Sequence, residues 1–290
     1  MGLEAGSRVP QEAVDKGRVL IGGANFGSIN GPHLFYMQEA IAKHFADKTN
    51  VLVIPYAAMN MDAKADDAQN AFVRMVPRLK GNIHSIHKKS GEDILKAAQE
   101  ADGFFFVPGN TYLLSHMLHR EEGLVDILRQ KSADRIVIAG ASAGPLVMAD
   151  TITGAADPTV PVVDENGKRF VRVDGLGLLP PDVHPVVHYI DFDALYTDDE
   201  KEAMFKSDPR LEVLFDHLHS VPGNINWHLR YFPDDIAYAL PDDSYFVVDG
   251  MTMTHHGEKG KAGVIFQAGT EKQVVEPGAN LSHLLLPRAA

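Results

Sequence analysis

One serine stands among four small residues in Gly140-Ala141-Ser142-Ala143-Gly144, directly after the apolar run Ile136-Val137-Ile138-Ala139. A buried strand that ends in G-x-S-x-G and opens a helix is the nucleophile-elbow pattern. The turn is so tight that the residues flanking the serine must be small, and it lifts Oγ above the sheet edge. The following helix aims its first amides at the same spot, where an oxyanion is held. The chemistry is attack by a hydroxyl, which needs a base, a group that orients the base, and oxyanion donors. The plainer alternative is an ordinary glycine-rich strand-to-helix turn.

The base is not fixed by composition, because the chain carries 14 histidines. His184 and His188 fall in GLGLLPPDVHPVVHY, after an apolar segment, where a loop at a strand end is expected. His255, His256 and His283 come late, where an α/β-hydrolase keeps its base. Each is by default a surface or packing histidine. Zero cysteines exclude thiol catalysis and disulfides, and they fit a cytoplasmic location. His184 and His188 have metal-ligand spacing, but Pro185 between them breaks a helix and no His-Glu-x-x-His occurs, so neither metal nor other cofactor is expected.

The elements that must position these groups alternate. Strands are expected at Arg18–Gly23, Asn50–Pro55, Asn82–His87, Gly103–Gly109 and Arg135–Ala139. Helices lie between them at His33–Phe45, within residues 61–80, after a Ser90 cap, and at Asn110–Gln130. This pattern implies an α/β fold with a mostly parallel, doubly wound sheet covered on both faces, and sites beyond the carboxyl ends of its strands. Gly109 and Ser142 both sit there. The second half turns to hairpins: residues 164–175 around Asn166-Gly167, and Ser244–His255 around Asp249-Gly250, with a further strand at Gly263–Ala268 and a short tail from Glu276. Residues 1–17 have no apolar stretch of signal-peptide type and read as a tail, leaving 18–290 as one α/β domain with a C-terminal β-hairpin extension.

GASAG, FFFVPGNTYLL (Phe104–Leu114) and GLGLLPPDVHPVVHY together resemble the peptidase E and cyanophycinase family of serine peptidases. The resemblance spans Leu20 to Gly269 and implies a class I glutamine amidotransferase-like fold, with serine where the amidotransferases place cysteine. It implies Ser142 as nucleophile, His188 as base (His184 a lesser candidate), and the amides of Gly109 and Ala143 as oxyanion hole. For the acid it implies Asp242, in LPDDSYFVVDG, with Asp157, in TGAADPTVPVVD, as the alternative. The family's glycine run is reduced here to Pro108-Gly109. The implied partner is a small peptide substrate, N-terminally aspartyl in peptidase E members or β-aspartyl-arginine in cyanophycinases. Recognising an aspartyl carboxylate calls for arginine, and Arg172, Arg210 and Arg230 are candidates. The family's arginine-rich helix start is replaced here by ALYTDDEKEAMFKSDPRLE.

A net charge of −12 argues against a nucleic-acid partner, and no stretch approaches the roughly 20 apolar residues of a membrane span. A homodimer is compatible with all of this. Two rival functions remain: an α/β-hydrolase esterase using the late histidines, and a catalytically silent amidotransferase-like module in which the elbow survives as packing.

Overall fold

Side chains alternate across a strand, so a sheet buried on both faces sends odd and even residues into two different cores. The computed structural model of the protein describes residues 18–22, 34–163, 167–189, 197–207, 223–257 and 261–286, and it shows this division. The strands are β1 (Arg18–Gly22), β2 (Val51–Ile54), β3 (Ile83–Ser85), β4 (Gly103–Phe106) and β5 (Val137–Ala141). Leu20, Val51, Val53, Phe105 and Val137 pack against α1 (Gln38–His44) and α2 (Met61–Met75). Ile21, Leu52, Phe104, Phe106 and Ile138 face α3 (Glu92–Glu100), α4 (Thr111–Arg120), α5 (Leu124–Ala133) and α6 (Ala143–Met148).

The strand order is β11-β10-β1-β5-β4-β2-β3, with β10 (Ser244–Asp249) and β11 (Thr252–Gly257) the hairpin expected around Asp249-Gly250. The five strands from β1 to β3 are parallel, and the hairpin adds antiparallel to β1. At one level Gly22 pairs with both Ala141 and Tyr245. The chain just before Ser142 and the start of β10 therefore flank the same residue.

A second sheet, absent from the sequence reading as a sheet, has the order β13-β12-β9-β8: β8 (Val183–Val186), β9 (Ile236–Ala239), β12 (Gly263–Gln267) and β13 (Gln273–Val275). Strands β8 and β9 are parallel and so need a crossover connection, whose described elements are α7 (Asp198–Ser207) and a helix α8 over residues 223–231. The smaller hairpin of β6 (Pro161–Val163) and β7 (Arg169–Val171) brackets the expected turn, of which Asn166 lies outside the described residues. The expected tail at residues 1–17 and Arg210 also lie outside them.

Three local expectations are corrected. The single helix expected over Asn110–Gln130 is two, because the chain leaves α4 at Glu121 and re-enters α5 through Gly123 in the left-handed conformation (φ 86°). Helix α3 is preceded by Gly91 without a side-chain cap, so Ser90 does not cap it. The chain beyond Glu276 is no loose tail: Leu281 N–H bonds the Met253 carbonyl (2.7 Å), and Leu281, Leu284 and Leu285 are buried. No helix among the described residues is long and apolar enough to cross a membrane.

Candidate active site

Ser142 sits between β5 and α6 at φ 56°, ψ −106°, a conformation that L-residues avoid. The turn is tight enough that a side chain on its flanks would not fit. A Cβ on Gly140 would lie 2.9 Å from Gly144 Cα, and one on Gly144 would lie 3.0 Å from Phe106 Cβ. Such a backbone costs about 1–3 kcal/mol when a side chain is present, and the surrounding sheet must hold it. Glycine relieves that strain but adds chain entropy worth about 0.4–1 kcal/mol. Ser142→Gly is therefore expected to melt higher than Ser142→Ala, by about 2–4 °C per kcal/mol gained. Equal melting of the two would show that the elbow stores no strain.

The Oγ of Ser142 lies 3.0 Å from Nε2 of His188, and Nδ1 of His188 lies 2.9 Å from Oδ1 of Asp242. An ionised carboxylate only accepts, so Nδ1 carries the imidazole proton. Nε2 is then left as the acceptor of the serine hydroxyl. His188 is itself left-handed (φ 60°), as is Asp243 (φ 62°) beside Asp242. The second sheet sets the register between histidine and acid: Leu240 N–H bonds the Val186 carbonyl (2.7 Å), and Tyr189 N–H bonds the Leu240 carbonyl (3.1 Å). Residues on either side of His188 thus grip the chain two residues before Asp242. The histidine and acid side chains are 14% and 25% exposed, open enough to meet a substrate.

The comparisons with known proteins follow the same lines. The model of peptidase family S51 matches residues 18–224. The chain belongs to peptidase family S51. It is accordingly a serine peptidase. A curated protein named peptidase E from Shewanella amazonensis is 28% identical over 258 residues, covering 88% of this chain and 93% of its own length. Another peptidase E, from Shewanella denitrificans, is 30% identical over 169 residues, covering 57% of this chain and 64% of its own length. Among solved structures, a peptidase from an acI-B1 actinobacterium superposes with a TM-score of 0.57 at 14% identity, covering 93% of this chain and 98% of that one. A putative peptidase E from Listeria monocytogenes gives 0.55 at 13% identity, covering 83% and 98%. Those two likenesses concern the fold.

Within this S51 chain the other expected site residues lie as follows. Gly109 is held against the preceding loop: a Cβ there would lie 2.1 Å from the Ala57 carbonyl oxygen, which also accepts from Asn110 N–H at 2.8 Å. Ala143 is the first residue of α6, so its N–H is one of the first-turn donors without an intrahelical acceptor. Asp157, the alternative acid, is engaged away from the histidine. Its carboxylate accepts from Thr111 N–H (2.9 Å) and from the Thr111 hydroxyl. Nearby, Asn110 donates to the Pro158 carbonyl at 2.8 Å and caps α4 through Leu113 N–H at 2.9 Å. The segment around Asp157 thus fastens the turn that carries Gly109. His184 lies inside β8 and bonds Asp235, not the serine. Arg172 is paired with Asp174 at 2.9 Å, and Arg230 is exposed on α8. Trp227 is 47% exposed and packs at a tilt against Tyr231 on that helix.

Tyr36 carries no signal in the sequence. Its hydroxyl packs so close to Gly22 that a Cβ there would lie 2.6 Å from it. Burial, and then the negative charges of Asp242 and Asp243, push the phenol well above its ordinary pKa, so it stays protonated beside the elbow.

Two of the late histidines are occupied elsewhere, and the third, His283, is exposed on the turn Ser282–Leu285. His255 is buried on β11 and donates Nε2–H to the Lys261 carbonyl (3.0 Å), while His256 stacks on Tyr245. Burial pushes both imidazoles below their ordinary value. A histidine whose folded pKa lies below its unfolded one binds its proton preferentially when unfolded. Its contribution to stability is then whole above about pH 6.5 and is lost as the pH falls below it. Thermal melts from about pH 7.5 down to about pH 5.5 should show a falling midpoint, and His256→Gln should flatten the fall. A midpoint independent of pH across that window would contradict this.

Proposed function

We propose that this S51 peptidase hydrolyses short peptides through an acyl-enzyme. Ser142 would be the nucleophile, His188 the base, Asp242 its orienting acid, and the Gly109 and Ala143 amides the oxyanion hole. The observation that carries the reading is the unbroken relay from Ser142 Oγ to His188 Nε2 (3.0 Å) and from His188 Nδ1 to Asp242 Oδ1 (2.9 Å) on a strained elbow.

In the first step the Ser142 proton moves to His188 Nε2 as Oγ bonds the scissile carbonyl carbon. The carbonyl oxygen becomes an oxyanion, and backbone donors already in place stabilise it most, since they need no reorganisation. His188 then returns its proton to the leaving amine as the C–N bond breaks. A water gives a proton to His188, its oxygen attacks the ester carbon, and Ser142 recovers its proton as the acid product leaves. Asp242 stays ionised throughout, holding the productive tautomer and stabilising the imidazolium.

For the substrate, the resemblance to the peptidase E and cyanophycinase family supports short peptides, with dipeptides beginning in aspartate first among them. A panel of Asp-Leu, Glu-Leu, Ala-Leu and β-aspartyl-arginine tests this, with Ser142→Ala alongside. Cleavage of Asp-Leu above the others, absent in the variant, is the expected result. Preference for the β-linked dipeptide would move the substrate class to the cyanophycinase side. Cleavage of none, together with no labelling by a serine-reactive fluorophosphonate, would overturn the catalytic reading.

A further inference from the structure

His184, His228 and Asp235 come from three separate elements, β8, α8 and the turn before β9, and meet in the interior. All three are buried, with side chains 6%, 1% and 1% exposed. Both imidazoles aim Nε2 at one and the same carboxylate oxygen, Asp235 Oδ2, at 2.9 Å from His184 and 3.1 Å from His228. The Pro181 carbonyl oxygen lies 3.1 Å from His184 Nε2, adding a fourth donor atom. One ligand atom from each of the three side chains lies within 4.8 Å of the other two.

We propose that these residues form a structural site for a divalent transition metal of the zinc type. Zinc takes imidazole nitrogen and carboxylate oxygen at roughly 2.0–2.2 Å in tetrahedral sets, whose ligand atoms stand roughly 3.3 Å apart. The observed separations of 2.9 and 3.1 Å need only a few tenths of an ångström of opening to admit the ion. The donor set of two imidazoles, one carboxylate and one carbonyl suits zinc, and calcium or magnesium, which prefer oxygen alone, are disfavoured. One outer contact fits as well, while Nδ1 of His184 is buried with no hydrogen-bond partner among the described residues. His228 Nδ1 faces the Thr153 hydroxyl at 2.9 Å, so when Nε2 binds metal the Nδ1–H has an acceptor waiting. On binding, each imidazole leaves Nε2 to the ion and keeps its ring proton on Nδ1, and the carboxylate stays anionic.

The place in the fold says what the ion would do. His184 precedes His188 by one short stretch of β8, and Thr153 follows α6, the helix opened by Ser142. The ion would clamp β8, α8 and β9 into the framework that carries the histidine of the relay, without touching Ser142, His188 or Asp242. This places it outside the chemistry and inside the stability of the second sheet.

The test uses the full chain, stripped of metal by chelation and then titrated with Zn2+ or Co2+. At a hundredfold excess of Zn2+ over its Kd, the melting temperature should rise by about 5–10 °C. One equivalent of Co2+ should give the intense visible bands of a four-coordinate nitrogen–oxygen site. Asp235→Asn keeps a carbonyl that accepts from an imidazole N–H but ligates poorly, so it should fold and lose both responses. His188→Ala, which removes the nearby partly exposed histidine outside the cluster, should keep both. No shift with Zn2+ and only the weak spectrum of hydrated Co2+ would overturn the proposal, leaving a hydrogen-bonded brace. Equal responses in wild type and Asp235→Asn would overturn it too, since the metal would then sit elsewhere.

Discussion

Ser142→Ala is expected to lower kcat/KM for a cleaved dipeptide by about a millionfold, and adding His188→Ala should cost almost nothing more. The reason lies in the geometry of the relay. In the proposed mechanism the serine hydroxyl is a weak nucleophile until Nε2 of His188, 3.0 Å away, takes its proton. Without Oγ the base has nothing to activate, so the two losses overlap instead of multiplying. What survives is binding and oxyanion stabilisation, worth about 10³–10⁴ over the uncatalysed reaction. The test is steady-state kinetics of both single variants and the double variant, with melting curves to show that each is folded. Multiplicative losses would mean that His188 serves the reaction in some way other than through Ser142.

Much of this was legible before any coordinates, because the signals were local. The elbow is written in five consecutive residues, and its parallel sheet in the alternation of apolar runs with amphipathic segments. The hairpin of β10 and β11 was marked by Asp249-Gly250, which needs the left-handed backbone that Gly250 supplies (φ 61°). The histidine and acid were legible only through likeness to a family, since nothing in 14 histidines distinguishes His188 by composition. What brings it to the serine is a hydrogen-bonded register between Leu240 and the chain around His188, a contact across more than fifty residues.

The second sheet escaped the sequence for a related reason. Strands β8 and β9 are four residues each, fully buried, and carry no alternation. The first also contains Pro185 and His184, which disguise it as a loop. Its pairing spans some fifty residues of intervening chain, and local periodicity does not report such pairings. Tyr36 and the cluster of His184, His228 and Asp235 were missed on the same ground: each is assembled by packing from elements far apart in sequence.

The two acids named from the sequence are separated by a paired measurement. Asp242→Asn is expected to lower kcat by about 10⁴, and Asp157→Asn by about tenfold. Asparagine at 242 can turn its amide N–H2 towards Nδ1, which favours the imidazole tautomer with its proton on Nε2. That tautomer cannot accept from Ser142, and the imidazolium formed during reaction loses its negative neighbour. Asparagine at 157 still accepts from Thr111 N–H through its carbonyl oxygen. The damage is a weaker hold on the turn that carries Gly109, an effect on oxyanion geometry and not on proton transfer. Fluorophosphonate labelling should follow the same order, slow in the first variant and near normal in the second. Were Asp157→Asn the more damaging, the acid role would pass to Asp157. The turn holding Thr111 would then have to rearrange around the substrate to bring that carboxylate to the histidine.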